Sequence, residues 1–150
     1  MFFLYQALIC ILLILSPLII SFRIFKKKED PKRFMEKFCF PSKNKFVGNL
    51  IWFHGSSVGE LLSILPLVQE LEKNKSINQI LITTSTLSSA QIFKKFNFKK
   101  TVHQFFPIDS VFFSYKFLNY WKPTIAIFVE SEIWPSIFKI LNKKKIPLKL

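Results

Sequence analysis

Acid, glycine, arginine and cysteine are all scarce in this sequence. Nine Asp+Glu stand against 22 Lys+Arg in 150 residues, a formal net charge of +13. Arg23 and Arg33 are the only arginines, so the positive charge is almost all lysine. With three glycines there is no G-x-G-x-x-G and no Walker A sequence, and neither a dinucleotide fingerprint nor a P-loop is supported. Two cysteines, Cys10 and Cys39, make no disulfide framework. They share no zinc spacing with His54 or His103, and a reducing compartment suits them. No nucleophilic serine or cysteine motif is present. The 19 phenylalanines and abundant lysines point to a biased background composition, which raises charge without functional pressure. Even so, so positive a surface is drawn to anionic partners such as phospholipid, lipid phosphate or nucleic acid.

A second absence is local. From Phe2 to Phe22, FFLYQALICILLILSPLIISF, there is no charged residue. Roughly 20 such residues cross the hydrocarbon core as a helix. The run lacks the basic n-region and small-x-small cleavage site of a signal peptide. Pro17 is tolerable in a bilayer helix. RIFKKK follows at 23–28, and the positive-inside tendency puts that flank and the rest of the chain in the cytoplasm. Residues 1–22 therefore read as a transmembrane signal anchor, single-pass. Residues 23–49 read as a basic juxtamembrane connector. Phe34 and Phe38 there share a helix face beside Arg33 and Lys37, which suits a short helix on the membrane surface or a solvated linker helix.

Beyond Leu50 the pattern alternates. LIWFH, QILITTS, TVHQFF, TIAIFVE and IPLKL read as strands. VGELLSILPLVQELEK, SAQIFKKF, SVFFSYKFLNYW and EIWPSIFKILNKK read as helices. Near-continuous apolar strands separated by helices imply βαβ units and a parallel sheet covered on both faces. The expected fold is α/β, a Rossmann-like parallel sheet over residues 50–150.

Ligands of such sheets bind beyond the carboxyl ends of the strands. Four loops are selected: HGSSVGE, TTSTLSS, PIDS and ESEIWP. Glu60 has two readings. Ser57-x-x-Glu60 is a capping box, with Ser57 as N-cap and Glu60 at N3. A carboxylate at this rim also suits a general base acting on a hydroxyl. Gly55 and Gly59 would let backbone N–H groups approach an anion. Glu130 ends an apolar strand, where a charge is costly unless paired or at the rim. Glu132 fits a first-turn acid favoured by the helix dipole. The hydroxyls from Thr83 to Ser89 suit caps and turns as well as phosphate or sugar binding. His54 and His103 read as core or rim residues.

Taken together the loops resemble a known family. HGSSVGE at 54–60 resembles the H-A-x-S-V-G-E loop of 3-deoxy-D-manno-octulosonic acid (Kdo) transferases, which act on lipid IVA. ILITTSTLSSA at 80–90, FFPID at 105–109 and ESEIWPS at 130–136 are similar to later blocks of that family, in the same order. EDPKRFMEKF at 29–38 resembles its basic segment after the membrane anchor. The resemblance implies the N-terminal, acceptor-side lobe of a two-lobe GT-B glycosyltransferase at the cell inner membrane, with its catalytic part in the cytoplasm. It implies transfer of Kdo from CMP-Kdo to a lipid A precursor in lipopolysaccharide synthesis. By position, Glu60 would take the proton of the acceptor hydroxyl and Glu130 would help stabilise the transition state. Ser56, Ser57 and Gly59 would shape the acceptor loop, with Glu132 also in the substrate site. No catalytic metal and no cofactor is implied.

Gly55 stands for the family's usual alanine, Ser89 where glycine is common, and Ser136 for asparagine. The lobe that binds the CMP part of the donor is expected to be missing, so residues 50–150 read as truncated and the chain alone as inactive. The competing expectation is non-enzymatic: a membrane-anchored basic module that binds anionic lipid or a partner protein, with Glu60 only a cap. Nucleic acid is not an expected partner, because there is charge but no reader motif.

Overall fold

A computed structural model describes residues 2–129 and 133–150. Its strands are β1 (Leu50–His54), β2 (Gln79–Thr84), β3 (Thr101–Phe105), β4 (Ile125–Phe128) and β5 (Leu148–Lys149). Its helices are α1 (Phe2–Phe25), α2 (Val58–Lys73), α3 (Leu87–Phe93), α4 (Val111–Trp121) and α5 (Pro135–Lys143). The strands form one parallel sheet in the order β3-β2-β1-β4-β5. The α/β expectation of a parallel sheet holds, and the strand order the structure adds is Rossmann-like.

β1 is central: Trp52 pairs with Leu81 on one side and Ala126 on the other. Its residues alternate between two cores. Leu50 and Trp52 face α4 and α5, where Phe117, Trp121 and Ile140 are buried. Phe53 faces α2 and α3, with Leu61, Leu65 and Val68. Burial on both faces is why the strand reads as continuously apolar. Trp52 anchors the first core. Its ring lies 4.9 Å from Phe117 and 5.1 Å from Phe128, and its indole N–H donates to Thr83 Oγ1 at 2.9 Å.

The connector is built into the lobe. A 3₁₀ helix, Phe34–Phe38, brings Glu36 to a site where it is 1 % exposed. A buried carboxylate must be paired and hydrogen-bonded. Glu36 is: it accepts from Arg33 Nε at 2.7 Å and Nη2 at 2.9 Å, from the Ser42 hydroxyl, and from the Phe105 N–H at 2.8 Å. Arg33 Nη2 also donates to the His103 carbonyl at 2.9 Å and meets His103 Nδ1 at 3.0 Å. A guanidinium has no acceptor, so Nδ1 is the lone-pair nitrogen. Nε2 then carries the proton and donates to Thr84 Oγ1 at 2.8 Å. Burial, reinforced by the Arg33 charge, pushes the His103 pKa down to about 3.

Two helix starts differ from the sequence expectation. α5 begins at Pro135, not at 132. Proline favours the first helical position, and it biases the preceding residue away from helix; Trp134 sits at φ −112, ψ 88. α3 begins at Leu87 because Thr86, not a later serine, is its N-cap, accepting from the Ser89 N–H at 3.2 Å. In α1, Pro17 lacks the N–H that would bond the Leu13 carbonyl, and the Ser16 hydroxyl donates there instead at 2.7 Å. By length and composition α1 can cross a membrane.

Candidate active site

β1 and β4 are neighbours, yet the helices that follow them, α2 and α5, pack on opposite faces of the sheet. The chain therefore diverges at their carboxyl ends, and this switch point is where an open α/β sheet leaves a crevice. The β1–α2 turn supplies one wall. Gly55 N–H donates to the Thr83 carbonyl at 3.1 Å, which fixes the start of the turn. Ser57 follows in extended conformation, φ −105 and ψ 169, as the N-cap of α2.

Ser57 and Glu60 hold each other. The Glu60 N–H donates to Ser57 Oγ at 3.2 Å, and the Ser57 hydroxyl donates to Glu60 Oε1 at 2.6 Å. The Ser56 N–H donates to Oε2 at 2.8 Å. The carboxylate thus reaches back one residue further than an ordinary capping box, which ends at the N-cap N–H. Glu60 is 9 % exposed. A carboxylate offers about four lone-pair sites, so these two donors leave acceptor capacity on both oxygens. The cap orients the group without using it up.

The two glycines play different parts. A Cβ on Gly55 would come within 3.0 Å of Glu60 Cβ, so this position lets the carboxylate fold close over the turn. A Cβ on Gly59 would meet only Ser57 Oγ, at 3.9 Å. Gly59 is exposed and leaves the first turn of α2 bare to an approaching ligand.

Ser56 sits between strands. Its hydroxyl is 3.5 Å from His54 Nε2 and 3.4 Å from Ser85 Oγ. His54 is 1 % exposed, with its ring 3.9 Å from that of Phe106. Its Nδ1 lies 3.1 Å from the Thr83 carbonyl, which can only accept, so Nδ1 carries the proton. Burial pushes the His54 pKa down to about 3, against the opposing effect of that bond. The ring is neutral near pH 7.

Most of the hydroxyl cluster is structural. Thr83 serves Trp52 and His54, Thr84 serves His103, and Thr86 caps α3. Ser85 alone among these bonds to the β1–α2 turn through its side chain.

The β3–α4 loop contributes a residue that sequence reasoning left out of the site. Asp109 is 3 % exposed and caps α5 from a distance. Its Oδ2 accepts from the Ser136 N–H at 3.0 Å and its Oδ1 from the Ile137 N–H at 2.8 Å. Ser136 Oγ donates to the Asp109 carbonyl at 2.7 Å. Ser136 is thus bonded to Asp109 through both its N–H and its hydroxyl at the start of α5. Tyr5 of α1 donates to Asp109 Oδ2 at 2.7 Å. Tyr5, Ile9, Ser85, Phe106, Asp109 and Trp134 border a rim cavity of about 230 Å³. The aspartate that closes the PID turn was the available signal.

Glu60, Ser56, Ser57 and Gly59 thus lie together on one turn at the switch point. Glu130 and Glu132 lie outside the described residues. Among the described residues no three of His, Cys, Asp or Glu are grouped to hold a metal ion.

Residues 32–150 match a family model described as 3-Deoxy-D-manno-octulosonic-acid transferase (kdotransferase). A 3-deoxy-D-manno-octulosonic acid transferase of Rickettsia bellii is 40 % identical over 132 residues, covering 88 % of this chain and 32 % of that protein. A probable mitochondrial 3-deoxy-D-manno-octulosonic acid transferase of Arabidopsis thaliana is 36 % identical over 138 residues, 90 % of this chain and 31 % of that protein. The transferase of that name from Haemophilus influenzae is 30 % identical over 144 residues, 91 % of this chain and 33 % of its own length. The chain spans about a third of the length of these curated relatives.

Proposed function

The chain belongs to the 3-deoxy-D-manno-octulosonic acid transferase family, and from that premise we propose that it forms the acceptor side of an enzyme that moves Kdo from CMP-Kdo to a hydroxyl of a lipid A precursor. The observation that carries this reading is the Ser56–Ser57–Glu60 turn. It is a bonded, oriented carboxylate with spare lone pairs at the switch point of a parallel sheet.

Glu60 takes the proton of the acceptor hydroxyl as its oxygen attacks the anomeric carbon of Kdo. The bond from that carbon to the CMP phosphate oxygen breaks, and CMP leaves with the electron pair. Glu130 stabilises the transition state. Ser56, Ser57 and Gly59 shape the acceptor loop, and Glu132 is assigned to substrate binding. No metal takes part. α1 and the lysines after it hold the chain at the cytoplasmic face of the inner membrane, where a lipid-borne sugar is presented. In a GT-B arrangement the CMP moiety is held chiefly by a second lobe, so the chain by itself has no Kdo transfer activity.

The test is Kdo transfer by the chain co-expressed with the remaining two-thirds of the Rickettsia bellii relative. Glu60→Gln removes the base and can keep the turn: the amide oxygen accepts from the Ser56 N–H, the amide nitrogen donates to Ser57 Oγ, and Ser57 Oγ still caps the Glu60 N–H. Loss of a general base lowers the rate by roughly 10²–10⁴. Turnover near wild type in Glu60→Gln would remove Glu60 from the mechanism.

A further inference from the structure

α1 is uniformly apolar by composition but not by placement. Its partly covered positions run Phe2, Tyr5, Ile9, Leu13, Ser16 and Ile20, continuing to Arg23 and Ile24. These steps of three and four trace one stripe of a helix. The stripe also collects polar residues: Tyr5, Gln6 and Ser16 lie on it or beside it, and Arg23 ends it. The opposite side is apolar and exposed, with Leu4 at 68 %, Ile14 at 78 % and Leu18 at 73 %.

The stripe is tied to the lobe at its start and to the connector at its end. At the start, the Phe2 ring lies 4.0 Å from Lys139 Nζ of α5, and Tyr5 donates to Asp109. Gln6 Nε2 donates to Ser136 Oγ at 2.7 Å, and its Oε1 accepts from the Val111 N–H at 3.3 Å. At the far end Arg23 Nε pairs with Glu29 Oε2 at 3.0 Å, and Glu29 is 4 % exposed.

These ties are incompatible with a helix that crosses the bilayer. Tyr5 and Arg23 are separated by about 27 Å along the axis, at ~1.5 Å per residue. With Arg23 at the cytoplasmic boundary, Tyr5 would sit near the far side of a hydrocarbon core of ~30 Å. Asp109, and the polar lobe around it, could not follow it there.

We infer that α1 lies in the plane of the membrane, docked along the lobe, with its outer face sunk in the cytoplasmic leaflet. An isolated interfacial helix needs a polar face of its own. The side of α1 that would otherwise meet water faces the lobe, across a cavity of about 670 Å³ lined by Ser16, Ile20, Phe38 and Phe113. Lys26, Lys27 and Lys28 at its end are exposed and meet anionic headgroups. The arrangement sets the rim cavity, bordered by Tyr5 and Ile9, against the leaflet.

The test is site-directed spin labelling of the full chain in phosphatidylethanolamine/phosphatidylglycerol vesicles, at Leu4, Ile11 and Leu18. These side chains point away from the lobe, so the label leaves the docking intact. Oxygen and nickel-chelate accessibilities give the depth of each label. An in-plane helix places all three within about one helical pitch of the same depth, ~5 Å. A crossing helix spreads Leu4 and Leu18 by about 21 Å. That spread would overturn the inference, and so would aqueous accessibility at all three sites.

Discussion

At the scale of single residues, the Glu60 carboxylate that completes the cap of α2 is the one proposed as the base. Ser57→Ala removes the hydroxyl that fixes Glu60 Oε1 and caps α2. It is expected to lower stability by about 1 kcal/mol, read as a urea midpoint in detergent micelles. His103 gives a pH prediction. Its folded pKa of about 3 lies below the ordinary value of 6.5, so its neutral form adds stability above about pH 6.5. That contribution is lost as pH falls from there towards 3. His103→Gln can still accept from Arg33 and donate to Thr84 without titrating. Its stability is expected to fall less steeply between pH 7 and pH 4 than that of wild type, and parallel curves would refute the assignment. Glu60 was legible as a residue because Ser-x-x-Glu before an apolar run is a local signal. Asp109, Arg33 and His103 were not, since the Asp109–Ser136 and Arg33–His103 bonds span 27 and 70 residues and leave no mark on spacing.

Among elements, the strands and helices of the lobe could be read from apolar runs and their periods. α2 matches its expected span, Val58–Lys73, because Ser57 is a strong cap and Leu61, Leu65 and Val68 share one face. α5 starts later than expected because the sequence pattern counted an acid and missed the proline rule at 134–135. Its start is held from outside by Asp109. Asp109→Ala strands two buried N–H groups at the head of α5 and is expected to destabilise the lobe by roughly 1–3 kcal/mol. Asp109→Asn keeps an amide oxygen for one of them and should lose less. Thermal unfolding of the two variants side by side checks the order. The connector makes a larger demand. Glu36→Gln leaves Arg33 without its buried counter-charge, and a loss of about 3–5 kcal/mol is expected from chemical denaturation. A freely solvated connector would show almost none.

For the molecule as a whole, the parallel α/β sheet was a sequence expectation, while the order β3-β2-β1-β4-β5 comes from the structure and sets the β1–α2, β2–α3 and β3–α4 loops at the same carboxyl end of the sheet. The disposition of α1 was not legible. Composition marks a membrane helix, but only tertiary contacts separate one that crosses from one that lies flat. The Tyr5–Asp109 and Gln6–Ser136 bonds join residues more than 100 positions apart. The proposed reaction requires the lobe, the basic flank and α1 to bring the Glu60 carboxylate to a membrane-borne alcohol. The most direct measurement is the rate of Kdo transfer by Glu60→Gln beside wild type in the co-expressed enzyme, with the thermal midpoint taken on the same samples. The account predicts a rate lower by roughly 10²–10⁴ at a nearly unchanged midpoint. A preserved rate, or a loss of rate that only tracks a fall in the midpoint, would contradict it.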